Sequence, residues 1–528
     1  MKLRPRTIIG LLTVAALCFG FFWVRRDSDL RDSIEKKNTL VLNFGSPPLE
    51  LHPQFLHDVH SAILAIHIYE GLFRAGPDRT ILPGLAEDLY VSEDGLRYRI
   101  QLRKSYWSNG LPVTAHDFVR SWRNAIDPIG GRSCYGSMHF DFISGVEDFR
   151  NGKSSWSNVA LVAEDDSTLL FTLKHPVPYF KDLLTLPVFY PVYPDYNMDD
   201  ELITNGPFYL KGSKWGQSLV IQKNPFYWDS SSIHLSQIKF MFVESAETQT
   251  LLFERGELDS IGGGLVGIPQ EEVDRLLPSG SVSDQYDVAS VTYLTLNTSI
   301  RPFSSSKIRL AFSMALDREE MARGIFKRSF SAYSYLPPSL STRKHVRLIN
   351  ESQQLARQFL EEGLQELGMP REELGEIRLL CSENAIKLAQ ALQRQWAEKL
   401  GVLISIESSE FRSILARLSE GDFHFSINSS VADYRDPYTF FESFMQGEFE
   451  SNYTAWSPET MRELFQDGFG FEGDERIAHL ESMEDFFLAE MPLIPIAFTR
   501  DVCAMQHGLK GVQLSDMLLI DFSRAYWD

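Results

Sequence analysis

The sequence predicts an α/β protein of several domains. Three observations carry this: segments of strand and helix periodicity alternate along the chain, 528 residues are more than one hydrophobic core accommodates, and no repeat of roughly 20 to 50 residues points to a solenoid. A content of 44% hydrophobic and 23% charged residues is that of a folded chain rather than a disordered one. Length then implies two to four domains of roughly 100 to 200 residues each.

The first element is a basic start followed by the apolar run Ile8 to Val24, which reads as an export signal or a retained membrane anchor. Cys18 adds a third option, acylation after cleavage, although Leu17 stands where that processing favours a small residue. Next comes a hairpin. Leu96, Tyr98, Ile100 and Leu102 alternate with Arg97, Arg99, Gln101 and Arg103, and Asp94-Gly95 supplies the turn. Thr114, three residues before Asp117, opens a helix whose Phe118, Val119, Trp122 and Ile126 share an apolar face, stopped by Asp127-Pro128.

Further on, Ile238, Phe240 and Phe242 alternate as a strand, and the following run is helical up to Gly256. Leu355, Phe359, Leu360, Leu364 and Leu367 form a helical stripe closed by Gly368. A second stripe, Leu388, Leu392, Trp396 and Leu400, ends at Gly401 and leads into a predicted strand over 402–408.

The formal charge is -20, and residues 1–26 contribute five cations and no acid, so the remainder is more acidic still. Such a field repels phosphate backbones, and no basic run interleaved with aromatics appears, so no nucleic-acid partner is expected. Beyond Cys18 only Cys134, Cys381 and Cys503 remain. An odd number so widely spaced is not a disulfide framework, and three buried thiols are the favoured reading over one bridge.

Five segments in order resemble the extracytoplasmic oligopeptide- and dipeptide-binding proteins of ABC importers. They are Tyr69 to Phe73 (YEGLF), Leu82 to Trp122, Asn205 to Asp229, Tyr293 to Met321, and Met491 to Thr499 (MPLIPIAFT). The resemblance implies a two-lobed periplasmic-binding-protein fold of class II, with hinge segments and an extra inserted domain. It places the signal or anchor with its linker at 1–36, lobe I at 37–72, 202–296 and 497–528, the inserted domain at 73–201 and lobe II at 297–496. It further implies a non-enzymatic, monomeric component outside the cytoplasm, in the periplasm or cell envelope, that captures extended oligopeptides for permease subunits in the membrane. No cofactor and no bound metal are expected.

The resemblance also points to site residues. Asp433, in VADYRDPYTFF, matches the aspartate that pairs with a ligand's free α-amino group, and a carboxylate suits a cation taken out of water. The plainer reading is a loop carboxylate. Nearby Asp436-Pro437 is what a helix N-terminus uses, so capping is favoured over ligand contact for Asp436. Tyr135, in RSCYGSMHF, matches a region where the family sets a tyrosine against the ligand's N-terminal end. Ser430 and Ile427 depart from the family, standing where better-known binders carry a tryptophan wall and a C-terminus-binding arginine.

Nickel or haem capture is the first alternative, since His52, His57, His60 and His67 cluster near the start of the first lobe. No cysteine or tight His-carboxylate motif completes a site, and ordinary surface or packing histidines are favoured. A hydrolase is the second. No H-E-x-x-H, G-x-S-x-G or P-loop sequence is present, and Ser108 and His116 both belong to the fold segment already explained. A receptor with an altered pocket is the third.

Overall fold

The computed structural model describes residues 38–56, 58–76, 80–127, 134, 136–194, 202–214, 216–277, 280–283, 286–343, 346–445 and 452–528. Residues 8–24, His57 and Tyr135 lie outside them. No helix among the described residues is long and apolar enough to cross a membrane.

Three larger sheets organise the chain. The first has the order Thr39–Asn43, Gln237–Met241, Ser218–Lys223, Phe208–Lys214; its first two strands run parallel and the others antiparallel. Helix Val59–Ile68 buries Ile63, Leu64 and Ile68 against Leu40, Leu42 and Phe240 of this sheet. The C-terminus returns to the same core through Ile520, Phe522 and Ala525.

The second sheet is built from one continuous stretch, in the order Ala86–Val91, Arg97–Leu102, Thr168–Thr172, Leu161–Asp165. The alternation of its second strand is as predicted: Tyr98, Ile100 and Leu102 are buried while Arg97 and Arg99 are exposed. Gly95 takes φ +70°, the left-handed turn conformation that residues with a Cβ adopt at a cost. Helix Ala115–Ile126 starts where expected, with the Asp117 carboxylate accepting from the Thr114 amide at 2.8 Å and buried Phe118, Trp122 and Ile126 facing the core.

The third sheet has six strands, in the order Phe330–Ser331, Leu493–Asp501, Tyr286–Leu296, Phe425–Val431, Arg378–Cys381, Ser405–Ser408. Its last two strands are parallel and joined by helix Ile386–Leu400. The predicted strand over 402–408 is shorter than expected. Gly401 in the left-handed region turns the chain so that the Val402 amide bonds back to the Trp396 carbonyl, and that donor closes the helix instead of joining the sheet. Trp396 is fully buried, donates Nε1–H to the Phe312 carbonyl at 2.9 Å and lies 5.0 Å from Phe425 with the rings 7° from parallel.

Strands Tyr286–Leu296 and Leu493–Asp501 pair antiparallel and carry the chain between the lobes. The second continues into Cys503–Met505, which pairs with Ser260–Gly262. These are the hinge connections of a two-lobed α/β solute-binding fold. One apolar cluster runs without a break from Leu72 through Phe189 to residues of the six-stranded sheet, so the second sheet's domain is packed against the far lobe.

Candidate functional site

Strand Phe425–Val431 ends two residues before Asp433. It pairs with Tyr286–Leu296 along its whole length, from Phe425↔Leu296 to Val431↔Ser290. On its other side Arg378–Cys381 reaches only Phe425 and Ser426. Among the described residues the ladder beyond Ser426 is therefore paired on one side alone, an edge to which an extended chain can add main-chain hydrogen bonds.

The side chains along this edge are small and tied back to the sheet. Ser429 Oγ is 2.9 Å from Thr292 Oγ1, Ser430 Oγ is 2.7 Å from the Tyr293 hydroxyl, and Asn428 donates to Thr295 Oγ1 at 2.8 Å. Ser430 is half-buried, and Ile427 packs against the core of its own lobe instead of offering a charge.

Asp433 follows as an exposed residue, its backbone amide donating to Thr439 Oγ1 at 3.1 Å. Asp436 is different. It is buried, accepts from the Tyr438 amide as N-cap of the short helix Pro437–Phe440, and receives two contacts from Arg476 Nη2 at 2.8 and 2.7 Å. This is a structural carboxylate.

Beside Asp433 lies a group that sequence inspection does not single out. The Tyr434 hydroxyl donates to Glu442 Oε1 at 2.5 Å, and Nδ1 of His139 sits 3.5 Å from Glu442 Oε2. His139 is 3% exposed, and Nδ1 has no hydrogen-bond partner among the described residues. Tyr179 stacks on Tyr434, 5.0 Å between centroids and 11° between planes, and Phe469 packs on His175. Burial pushes the Glu442 carboxyl up to about 8, against the Tyr434 hydrogen bond, with the charges of Asp433 and Asp436 adding to the rise. Burial also takes His139 down to about 4. Burial thus favours the neutral form of both groups, a protonated carboxyl facing a neutral imidazole.

Eight residues separate Tyr434 from Glu442, and two short 3-10 turns, Pro437–Phe440 and Glu442–Met445, set the angle between them. That spacing matches neither helix nor strand period, so no periodicity marks the pair. The pairing A-D-Y with a downstream glutamate is the only signal.

The histidines near the N-terminal helix have structural partners. His67 is fully buried, with Nδ1 2.6 Å from the Ile63 carbonyl and Nε2 accepting from the Phe522 amide at 2.9 Å. His60 stacks on Phe44 at 4.9 Å, and His52 caps the turn Pro53–Phe55. With both ring nitrogens of His67 engaged, these side chains do not converge on a metal. Cys134, Cys381 and Cys503 are buried thiols outside any disulfide, and burial pushes Cys134 and Cys503 up to about 12, so neither is a ready nucleophile.

A cavity of about 300 Å³ lies at the opposite edge of the six-stranded sheet, beside Phe330, Tyr333 and Phe498. It contains neither Asp433 nor Glu442. Of the cations lining it, Arg347, Arg343 and Lys327 are paired with Glu319, Asp485 and Glu271, and Arg323 lines it as well.

Residues 80–452 match the profile of the bacterial extracellular solute-binding proteins, family 5, middle region. The oligopeptide-binding protein OppA of Bacillus subtilis is 29% identical over 99% of this chain and 98% of its own length. The dipeptide-binding protein DppE of the same organism is 30% identical over 87% and 86%. Among solved structures, Haemophilus influenzae OppA in complex with the peptide RPPGFSPFR superposes with a TM-score of 0.82, at 22% identity over 93% of this chain and 99% of that one.

Proposed function

Because this chain belongs to the family 5 bacterial extracellular solute-binding proteins, we propose that it is the substrate-capturing component of an ABC peptide importer, closing its two lobes around an extended peptide and passing it to permease subunits in the membrane. The observation that carries the reading is the half-paired strand ending at an exposed carboxylate. The ligand's main chain adds to the edge of Ile427–Val431, and its α-ammonium pairs with Asp433. This combination reads what all peptides share. The small side chains of Ser429 and Ser430 leave ligand side chains little to clash with, and water fills the remainder.

In this reading the stretch 73–201 is a domain inserted into lobe I, Tyr135 approaches the ligand's N-terminal end, and the protein works as a monomer without cofactor or catalysis. Loading is signalled by closure, since a ligand that touches both lobes favours the closed state by its differential contacts alone. A contact that spans the lobes supports this: Arg435 pairs with Asp516 at 3.3 Å. The protein acts outside the cytoplasm, held to the membrane by residues 8–24 where these are retained.

The test is calorimetry with a panel of tri- to pentapeptides, each with a free or an acetylated N-terminus. Free-amine peptides bind and acetylated ones bind at least about tenfold more weakly, with the difference abolished in Asp433→Asn. Equal affinity for both forms would remove Asp433 from the anchor role, and no binding across the panel would overturn the peptide reading.

A further inference from the structure

We propose that closure of the lobes over a peptide takes up a proton at Glu442 at neutral to mildly alkaline pH, and that His139 cancels this uptake in the acidic range. The inference rests on the peptide reading above and adds a regulatory property to the same site.

The geometry comes first. Glu442, Tyr434 and Asp433 belong to the six-stranded lobe, whereas His139 and Tyr179 come from the domain built on the second sheet. Side chains of the two bodies meet at this carboxyl: His139 lies 3.5 Å from Glu442 and packs edge-on to Tyr434 at 5.8 Å, and Tyr179 stacks on Tyr434. Parting the two bodies returns both Glu442 and His139 to water.

The charged groups around Glu442 do not offer it a cation. Arg476 is committed to Asp436 and lies over the Tyr438 and Tyr179 rings, and Arg435 pairs with Asp516. Asp433 and Asp436 are both acidic, and Asp182, at the next turn of the facing domain, is itself pushed up by burial and by Asp436. An ionised Glu442 in the closed state would sit in a low-dielectric seam with acids for neighbours. The closed state therefore holds the acid form.

Linkage fixes the sign. Glu442 goes from its ordinary 4.5 in water to about 8 on closure, so closing binds a proton across that window and is favoured by low pH. His139 goes from 6.5 to about 4, so closing expels a proton below 6.5 and is favoured by high pH. The two nearly cancel in the acidic range, where closure amounts to moving one proton from imidazolium to carboxylate. Above it Glu442 dominates, and His139 offsets it by less than twofold. Affinity is then expected to fall about fourfold between pH 6.5 and 7.5 and to change less than about twofold between pH 5.5 and 6.5.

The experiment is titration of the purified full chain at pH 5.5, 6.5 and 7.5 with the tightest free-amine peptide of the panel. Glu442→Gln, which keeps a neutral donor facing His139, should lose the fall above 6.5. His139→Gln should turn the flat acidic range into a roughly ninefold fall between 5.5 and 6.5. The peptide's own amine titrates near about 8, and it remains in Glu442→Gln, so the difference between that variant and the wild type carries the result. If either variant fails to fold, heats of binding to the wild type at pH 7 in two buffers of different ionisation enthalpy replace it, and they should report uptake of about two-thirds of a proton. Peptide binding with no proton uptake and no pH dependence in this range would overturn the inference alone; no peptide binding at any pH would overturn the peptide reading with it.

Discussion

Both carboxylate oxygens of Asp436 contact Nη2 of Arg476, at 2.8 and 2.7 Å, three residues after the exposed Asp433. Two acids in one short segment thus have opposite duties, one inside the fold and one at its surface.

The first prediction separates them. Asp436→Ala leaves Arg476 without its counter-charge in a mostly buried position and should cost about 3 kcal/mol of stability, visible in a denaturant melt. Asp433→Ala should leave the melt unchanged and weaken free-amine peptides. A variant pair in which both lose stability and neither changes affinity would show that the segment is purely structural.

Helix Gln353–Leu367 crosses helix Ser306–Met314 at Gly363. A Cβ there would lie 2.5 Å from Ile308 Cγ1 and 3.2 Å from the Ile308 backbone nitrogen. Alanine gains helix propensity, about 1 kcal/mol, but must push two packed helices apart. We expect Gly363→Ala to lower the unfolding midpoint by the equivalent of about 1 to 2 kcal/mol net. A stabilised variant would mean that the helices have room to separate.

Trp396 combines full burial with a hydrogen bond to the Phe312 carbonyl and a parallel stack on Phe425. Trp396→Ala should cost about 3 to 5 kcal/mol, and Trp396→Phe about 1 to 2, chiefly through the orphaned carbonyl. Urea melts of the two variants give the ratio.

The raised carboxyl of Glu442 also bears on the stability of the closed, peptide-saturated protein. Its folded value, about 8, exceeds its ordinary 4.5, so its contribution is complete below the latter and is lost as pH rises through the former. Wild-type stability should therefore drop by about 1 to 2 kcal/mol more than that of Glu442→Gln between pH 6.5 and 8.5. Parallel curves for the two proteins would show that Glu442 is solvated in the folded state.

The sequence by itself determined what depends on neighbours along the chain. The hairpin at Asp94-Gly95, the capped helix after Thr114 and the helices ended by Gly368 and Gly401 follow from spacing and from residues that tolerate particular backbone angles, and each stands where those signals place it. The ordered segments also carried the family. Tertiary structure decided what depends on residues far apart. Among the described residues Arg378–Cys381 pairs no further than Ser426, and packing of the second-sheet domain on the far lobe brings His139 to Glu442, more than three hundred positions away. The proline after Asp436 already marked that acid as a cap in sequence, but its counter-charge Arg476, delivered by a helix some forty residues on, came only with the fold, because burial and charge pairing are properties of the assembled chain.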